Sequence, residues 1–282
     1  MYNAVFEADN GRKYVFGVDG ETAFDMDIGN GITVDIGKSQ GFLQVGETVE
    51  NFTVTGRPIE VKGVIYGDIA KKKREMRGVF APFVSGKLTI QGKYYIRVYV
   101  QDTPSFSPAK DNGRFTMVLF APYPFFYSTE NIVKNIGNIE PMFSFPVNYA
   151  EPHQFGRKGD QKYVNLLNEG DVSVPFNVLI KSNGASTNVV LRNLETLKYL
   201  RLNGALSIGD SVKVYRDDKN ILRAELTRDG ETVDIISWID EGSELFELNQ
   251  GTNIITFNDD ENGANLDVTI TFNPAVVAVY ED

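Results

Sequence analysis

The chain has 282 residues, of which 42% are hydrophobic and 12% aromatic, and it carries a formal net charge of −10. It contains no cysteine and one histidine, His153, which excludes a disulfide scaffold, a thiolate zinc site, a cysteine nucleophile and a two-histidine metal centre. The length suits one large domain or, more readily, two of ordinary size with cores of their own, and the acid excess argues against binding nucleic acid by phosphate neutralisation.

The opening "MYNAVFEADNGRKY" has neither the basic head nor the apolar run of a signal peptide, and no later stretch is long and apolar enough to span a bilayer. The expectation is a soluble protein made in the cytoplasm, without membrane insertion. Asp9-Asn10-Gly11 reads as a turn. The glycine-rich run "DIGNGITVDIGKSQGF" offers no phosphate cradle, because Val34 stands where G-x-G-x-x-G needs its third glycine. A flexible hairpin or extended loop accounts for it better.

One helix is predicted. In "DIAKKKREMRGVFAPF", Ile69, Met76, Phe80 and Phe83 fall on one helical face, Asp68 can cap the start, and Pro82 cannot continue the helix. The basic run Lys71–Arg74 is then a solvated face or a subunit contact, not a nucleic-acid patch.

Everywhere else the periodicity is that of strands. In "YYIRVYV" the residues Ile96, Val98 and Val100 alternate with Tyr95, Arg97 and Tyr99. In "LDVTITF" the residues Leu266, Val268, Ile270 and Phe272 alternate with Asp267, Thr269 and Thr271, a half-buried strand. "RFTMVLFA", "VSVPFNVLI", "DSVKVYR", "VDIISWI" and "NIITF" are further strand candidates. Turn signals punctuate them at Asp111-Asn112-Gly113, Arg228-Asp229-Gly230 and Glu261-Asn262-Gly263. The fold class is therefore mainly β, with a sandwich or barrel in each half. Charge divides the halves: residues 1–127 hold 15 Lys/Arg and 14 Asp/Glu, whereas residues 128–282 hold 13 and 24.

No residue set points to chemistry, so no catalytic, cofactor-binding or metal-ligating residues are assigned. His153 sits in a loop-like run without a G-x-S-x-G elbow anywhere in the chain. Asn258, Asp260, Asn262 and Gly263 have the 1, 3, 5, 6 spacing of a calcium loop, but Thr269 occupies the twelfth place where a bidentate Glu is required. A hairpin turn explains the same residues. The carboxylate pairs Asp217-Asp218 and Asp240-Glu241 fall in turn-like segments. Trp238, among Ile235, Ile236 and Ile239, reads as a strand residue partly in the core; a sugar-stacking platform is the competing reading.

The run from "GRPIEVKGVIYGDIAKKKREMRGVFAPF" through "GKLTIQGKYYIRVYVQDTPSF" to "RFTMVLFAPYPFFYS" resembles the N-terminal domain of the distal tail proteins of long-tailed (siphovirus-type) phages. "NEGDVSVPFNVLI", "SIGDSVKVYRDD", "SWIDEGSELFELNQGTNIITF" and "DVTITFNPAVVAVY" are similar to that family's second domain. The resemblance implies an N-terminal ring-forming, tail-tube-docking domain, 1–130, of barrel or sandwich type with one short helix. It implies a C-terminal galectin-like β-sandwich, 131–282. It further implies a structural, non-enzymatic protein without cofactors, assembled in the bacterial host cytoplasm and resident at the virion tail tip. There the family forms a ring, typically a hexamer, that joins the tail tube protein to the baseplate or tail-tip hub and in some phages docks receptor-binding proteins. The galectin sugar constellation is not expected, because the one His precedes the strand holding the one Trp. The alternatives are a carbohydrate-binding or glycan-cleaving sandwich protein acting on bacterial surface glycans, and a tail-tube subunit.

Overall fold

The computed structural model describes residues 3–17, 21–29, 31–108, 113–136, 139–141, 156–158, 163–217, 220–243, 246–260 and 265–280. His153, Asp111-Asn112, Asp218 and Glu261-Asn262-Gly263 lie outside them. The chain forms two compact units, one of Met1–Glu130 with Ala275–Asp282 and the other of Asn131–Pro274. The last eight residues, which sequence reading assigns to the second domain, thus belong to the first unit. The reason is a strand pairing, described below, that no local pattern announces.

The first unit contains β1 (Ala4–Ala8), β2 (Lys13–Phe16), β3 (Thr22–Met26), β4 (Val34–Ser39), β5 (Thr48–Val54), β6 (Arg57–Ile65) and α1 (Ile69–Val79). After the helix come β7 (Ser85–Ile90), β8 (Tyr94–Phe106), β9 (Arg114–Ala121) and β10 (Phe126–Ser128). The main sheet runs β2-β1-β7-β8-β9-β6-β3, antiparallel throughout. Its two end strands meet where Gly17 and Thr22 exchange backbone hydrogen bonds of 2.9 and 3.0 Å, so the sheet curls towards a barrel. The alternation read in β8 holds: Ile96 and Val98 are fully buried, and Tyr95, Arg97 and Tyr99 face outwards.

α1 is stapled to this sheet by aromatic packing. Asp68 caps it through the Lys71 amide (3.0 Å), and Met76, Val79 and the C-cap Phe80 are buried. Phe80 stacks on Phe6 at 4.7 Å and lies within 6 Å of Tyr14 and Phe16. Tyr14 keeps its buried hydroxyl satisfied on Thr22 Oγ1 (3.0 Å), and burial raises its pKa. The predicted helical face is right as far as Phe80 and wrong at Phe83. The helix stops at Val79, so its spacing no longer governs the Ala81-Pro82 loop, and Phe83 projects fully into solvent.

The same unit is completed from the far end of the sequence. β23 (Ala275–Val276) pairs with β10, Val279 donates to Ile28 O at 3.2 Å, and Arg57 Nη2 donates to Val277 O at 2.8 Å. Arg57 is buried, lies over the Phe126 ring at 5.1 Å, and has its pKa lowered by that burial.

The second unit holds β11 (Ile132–Ile136), a short ladder of β12 (Ile139–Pro141) with β13 (Gly156–Lys158), β14 (Tyr163–Asn168), β15 (Phe176–Ser182), β16 (Ser186–Asn193) and β17 (Tyr199–Leu206). β18 (Ser211–Arg216), β19 (Leu222–Arg228), β20 (Glu231–Asp234), β21 (Gly251–Asn258) and β22 (Leu266–Phe272) follow. One sheet is β11-β22-β15-β18-β19-β20, the other β14-β21-β16-β17, and they form a β-sandwich. Val178, Ile180, Val212, Val214, Val268 and Ile270 fill the buried face of the first; Leu166, Leu191, Leu200, Leu202, Ile255 and Phe257 fill that of the second. The Asp229-Gly230 turn between β19 and β20 has φ of 52° and 84°, the paired positive values of a type I′ hairpin.

"VDIISWI" is not a strand throughout. β20 ends at Asp234, whose carboxylate accepts from the Ile236 amide at 2.8 Å, and a 3-10 turn over Ile236–Trp238 follows.

Candidate interaction surface

The largest departure from a closed core lies in the first unit. β4 and β5 pair only with each other, and every residue from 38 to 54 is exposed. Directly opposed residues share a face, so Val34↔Val54 and Ile36↔Phe52 build an apolar row. A register shift at Gly37/Lys38 leaves Glu50 as the extra residue and brings Val49 opposite Lys38, on that same face. The bulge thereby collects Val34, Ile36, Val49, Phe52 and Val54 on one side of the arm, at 43–69% exposure. At its tip Phe42, Leu43 and Val45 are almost wholly exposed, at 97%, 87% and 101%. A hairpin this bare on both faces is marginal in water by itself, and it gathers exposed apolar side chains into one patch of the kind that marks an interaction site. A glycine-rich hairpin or loop was expected here; the bulge that sorts its side chains was not legible.

A second feature follows α1. Phe83 has φ of 68° and is fully exposed. A bulky residue in the left-handed region pays a steric cost and returns no burial within this unit. Beside it Pro82, Val84, Tyr99, Val100, Gln101, Asp102 and Thr103 line an open groove of about 580 Å³. Tyr99 is paired across the sheet with Phe120, and Phe120 with Pro58, so the apolar strip continues outwards from the groove over β9 and β6. The solvent side of α1 is basic: Lys73 and Arg77 lie over the Phe106 ring at 5.5 and 5.1 Å, and Lys72 approaches Glu75 at 3.9 Å. Within the basic run, Lys71 and Arg74 are exposed and Lys73 is held by cation–π packing.

The residues weighed as chemical sites in the second unit have structural duties. Trp238 is half-buried and lies flat against Gly204 of β17, where a Cβ would meet its ring at 2.1 Å. That strand lacks a side chain because the indole takes its place. Asp240 accepts from Asn203 Nδ2 (3.0 Å) and the Gly242 amide (3.0 Å), and Asp217 accepts from the Ile221 amide (2.9 Å) and Arg223 Nε (3.1 Å). In the acidic loop, Asp260 accepts from Asn188 Nδ2 (2.6 Å) and Thr187 Oγ1 (3.2 Å), and Asp259 accepts from Ser186 Oγ. These bonds fasten the bulge in β16 at Asn188, whose φ is 54°. Among the described residues no group of three or more His, Asp or Glu side chains could hold a metal ion. The strongest ion pair there, Arg228 with Asp210 at 2.5 Å, pins the β17–β18 connection: Asp210 also accepts from the Ser207 amide at 2.7 Å. The hydrogen bonds from Arg228 hold the Asp210 carboxyl below its ordinary pKa.

Residues 169–275 match the family model of the siphovirus-type tail component, C-terminal domain. Over nearly its whole length the chain carries the fold of a distal tail protein. It is similar to the crystal structure of phage SPP1 Dit, described as a paradigm of the hub adsorption apparatus in phages infecting Gram-positive hosts. The TM-score is 0.69 at 9% identity, covering 97% of this chain and 99% of that one. The phage P2 baseplate in its activated conformation with Ca matches at a TM-score of 0.52 and 11% identity, over 96% of this chain and 97% of that one. The P2 baseplate with Sr matches at 0.50 and 13%, with the same coverage. No curated protein is matched by the sequence. The resemblance to the distal tail family, read from ordered strand motifs, is upheld on both counts.

Proposed function

We propose that this chain is a structural distal tail protein of a phage or prophage, a ring-forming hub between the tail tube and the baseplate or tail tip. One observation carries the reading: a tail-component family model falls on the second unit, and the fold of a phage hub protein extends across both units. The first unit supplies the self-association surfaces, namely the arm, the Phe83 loop and the outward aromatic strip. The second, acidic unit offers a docking platform for receptor-binding or other tail-associated proteins. The role is mechanical, and no reaction is assigned to any residue. Assembly takes place in the host cytoplasm, and the mature location is the virion tail tip.

The test is to weigh the purified protein by native mass spectrometry and to image the particles. A ring, six copies in the family's usual form, supports the reading. A strict monomer at high concentration, together with no ring at the tail tip, overturns it. Deleting residues 37–47 removes the arm tip without touching the barrel core. It should abolish tail assembly while circular dichroism stays β-rich, and normal infectious particles from the deletion would refute a role for the arm.

A further inference from the structure

We propose that the tip of the β4–β5 arm of one copy seats in the Phe83 groove of the next copy. The inference rests on the ring reading above and deepens it by naming the two surfaces that meet.

Three observations on the first unit fit together. The arm carries an apolar face and an apolar tip, Phe42, Leu43 and Val45, that nothing in its own unit covers. The groove beside Phe83 is apolar along Pro82, Val84, Tyr99 and Val100, and about 580 Å³ of space accommodates one or two large side chains. Phe83 itself is held outwards in a left-handed conformation. The charges match as well. Residues 34–54 carry Asp35, Glu47 and Glu50 against Lys38, whereas α1, three residues before the groove, carries Lys71, Lys72, Lys73, Arg74 and Arg77 against Glu75. An acidic arm laid beside a basic helix is attracted and oriented by it.

The occupant is a second copy of this chain because the arm and the groove are different surfaces of the same unit. A contact between unlike surfaces is heterologous and repeats head to tail, which closes into a ring when the rotation permits. Size agrees: the eight apolar arm side chains are 43–101% exposed, and at ~60–120 Å² per fully covered side chain they supply roughly 300–650 Å², a large share of the ~800 Å² per partner buried in a stable interface.

The absence of cysteine makes the test clean. Val45→Cys at the arm tip and Gln101→Cys in the groove, both exposed positions, are introduced singly and together into the full chain. On mild oxidation the double variant should give a covalent ladder running up to the ring size on a non-reducing gel. Each single variant should give no species above a dimer. If native mass spectra show a ring and the double variant gives no more than the singles, arm-in-groove docking is wrong and the ring reading survives. If no oligomer forms at any concentration, both fall. Phe42→Ser with Leu43→Ser should weaken association of the otherwise unmodified chain at least ~10-fold, with an unchanged circular dichroism spectrum. Undiminished association of that variant overturns the docking as well.

Discussion

Replacing Gly204 by alanine isolates one contact and reads it with the chain's single tryptophan. The new Cβ would lie 2.1 Å from Cε3, 2.3 Å from Cζ3 and 2.4 Å from Cδ2 of Trp238, where carbon atoms normally rest at ~3.5–4.0 Å. The ring must therefore retreat by about 1.5 Å, and being rigid it retreats as a whole. Losing most of its cover costs about 2–3 kcal/mol. Restricting the unfolded chain by exchanging Gly for Ala offsets about 0.5–1 kcal/mol of that. The net destabilisation is about 1–2.5 kcal/mol, which for a unit of this size lowers the thermal midpoint by ~2–10 °C. Because Trp238 is the only tryptophan, its emission reports the second unit alone. The expected result is a red-shifted maximum in the native state and an earlier unfolding transition. An unchanged maximum with an unchanged midpoint would mean that the indole does not rest on Gly204, and the sugar-platform reading of Trp238 would return.

Truncating Phe80 to alanine should cost the first unit about 3–5 kcal/mol, because that ring packs the end of α1 against Phe6, Tyr14 and Phe16; chemical denaturation followed by tyrosine fluorescence measures it. Asp68→Ala removes the N-cap of α1 and should cost about 1 kcal/mol, seen as faster amide exchange in the first helical turn. Acidification should weaken the second unit through Asp210. Its carboxyl is held below the ordinary value of 3.8 in the fold, so its contribution is complete above that value and fades as pH falls from there through the lowered folded pKa. An Asp210→Asn variant should lack this part of the acid sensitivity, and identical acid titrations of the two proteins by tryptophan emission would refute it.

Where side-chain period and structure coincide, the fold was legible: β22 buries Leu266, Val268, Ile270 and Phe272 just as the alternation demands. α1 was legible because cap, spacing and stop signals agreed over Asp68 to Phe80, and the reading failed at Phe83 because periodicity carries no information past a helix end. The break after Asp234 depended on one side chain capturing a backbone amide, an event that β-propensity in "VDIISWI" outweighs on paper. The exposed apolar arm was half legible. Glycines and a missing cradle indicated a flexible hairpin or extended loop, but the one-residue shift that puts Val49 on the face of Phe52 is set by pairing register, which no single strand encodes. Least legible was the bond from Arg57 to the carbonyl of Val277, because its partners stand 220 positions apart.

That long-range closure bears on the order in which the molecule is made. β10 leaves the ribosome with the rest of the first unit, but its partner β23 follows only after the 144 residues of the second unit. At ~5–20 residues per second the delay is about 7–30 s. During that interval the nascent first unit has the edge of β10 uncovered and Arg57 without the Val277 carbonyl. β23 follows β22 after only two residues, so the sandwich and the first unit receive their last strands almost together. A chain that stalls or is clipped inside the second unit leaves β10 without β23 and Arg57 without the Val277 carbonyl, so damage within the second unit is felt in the first.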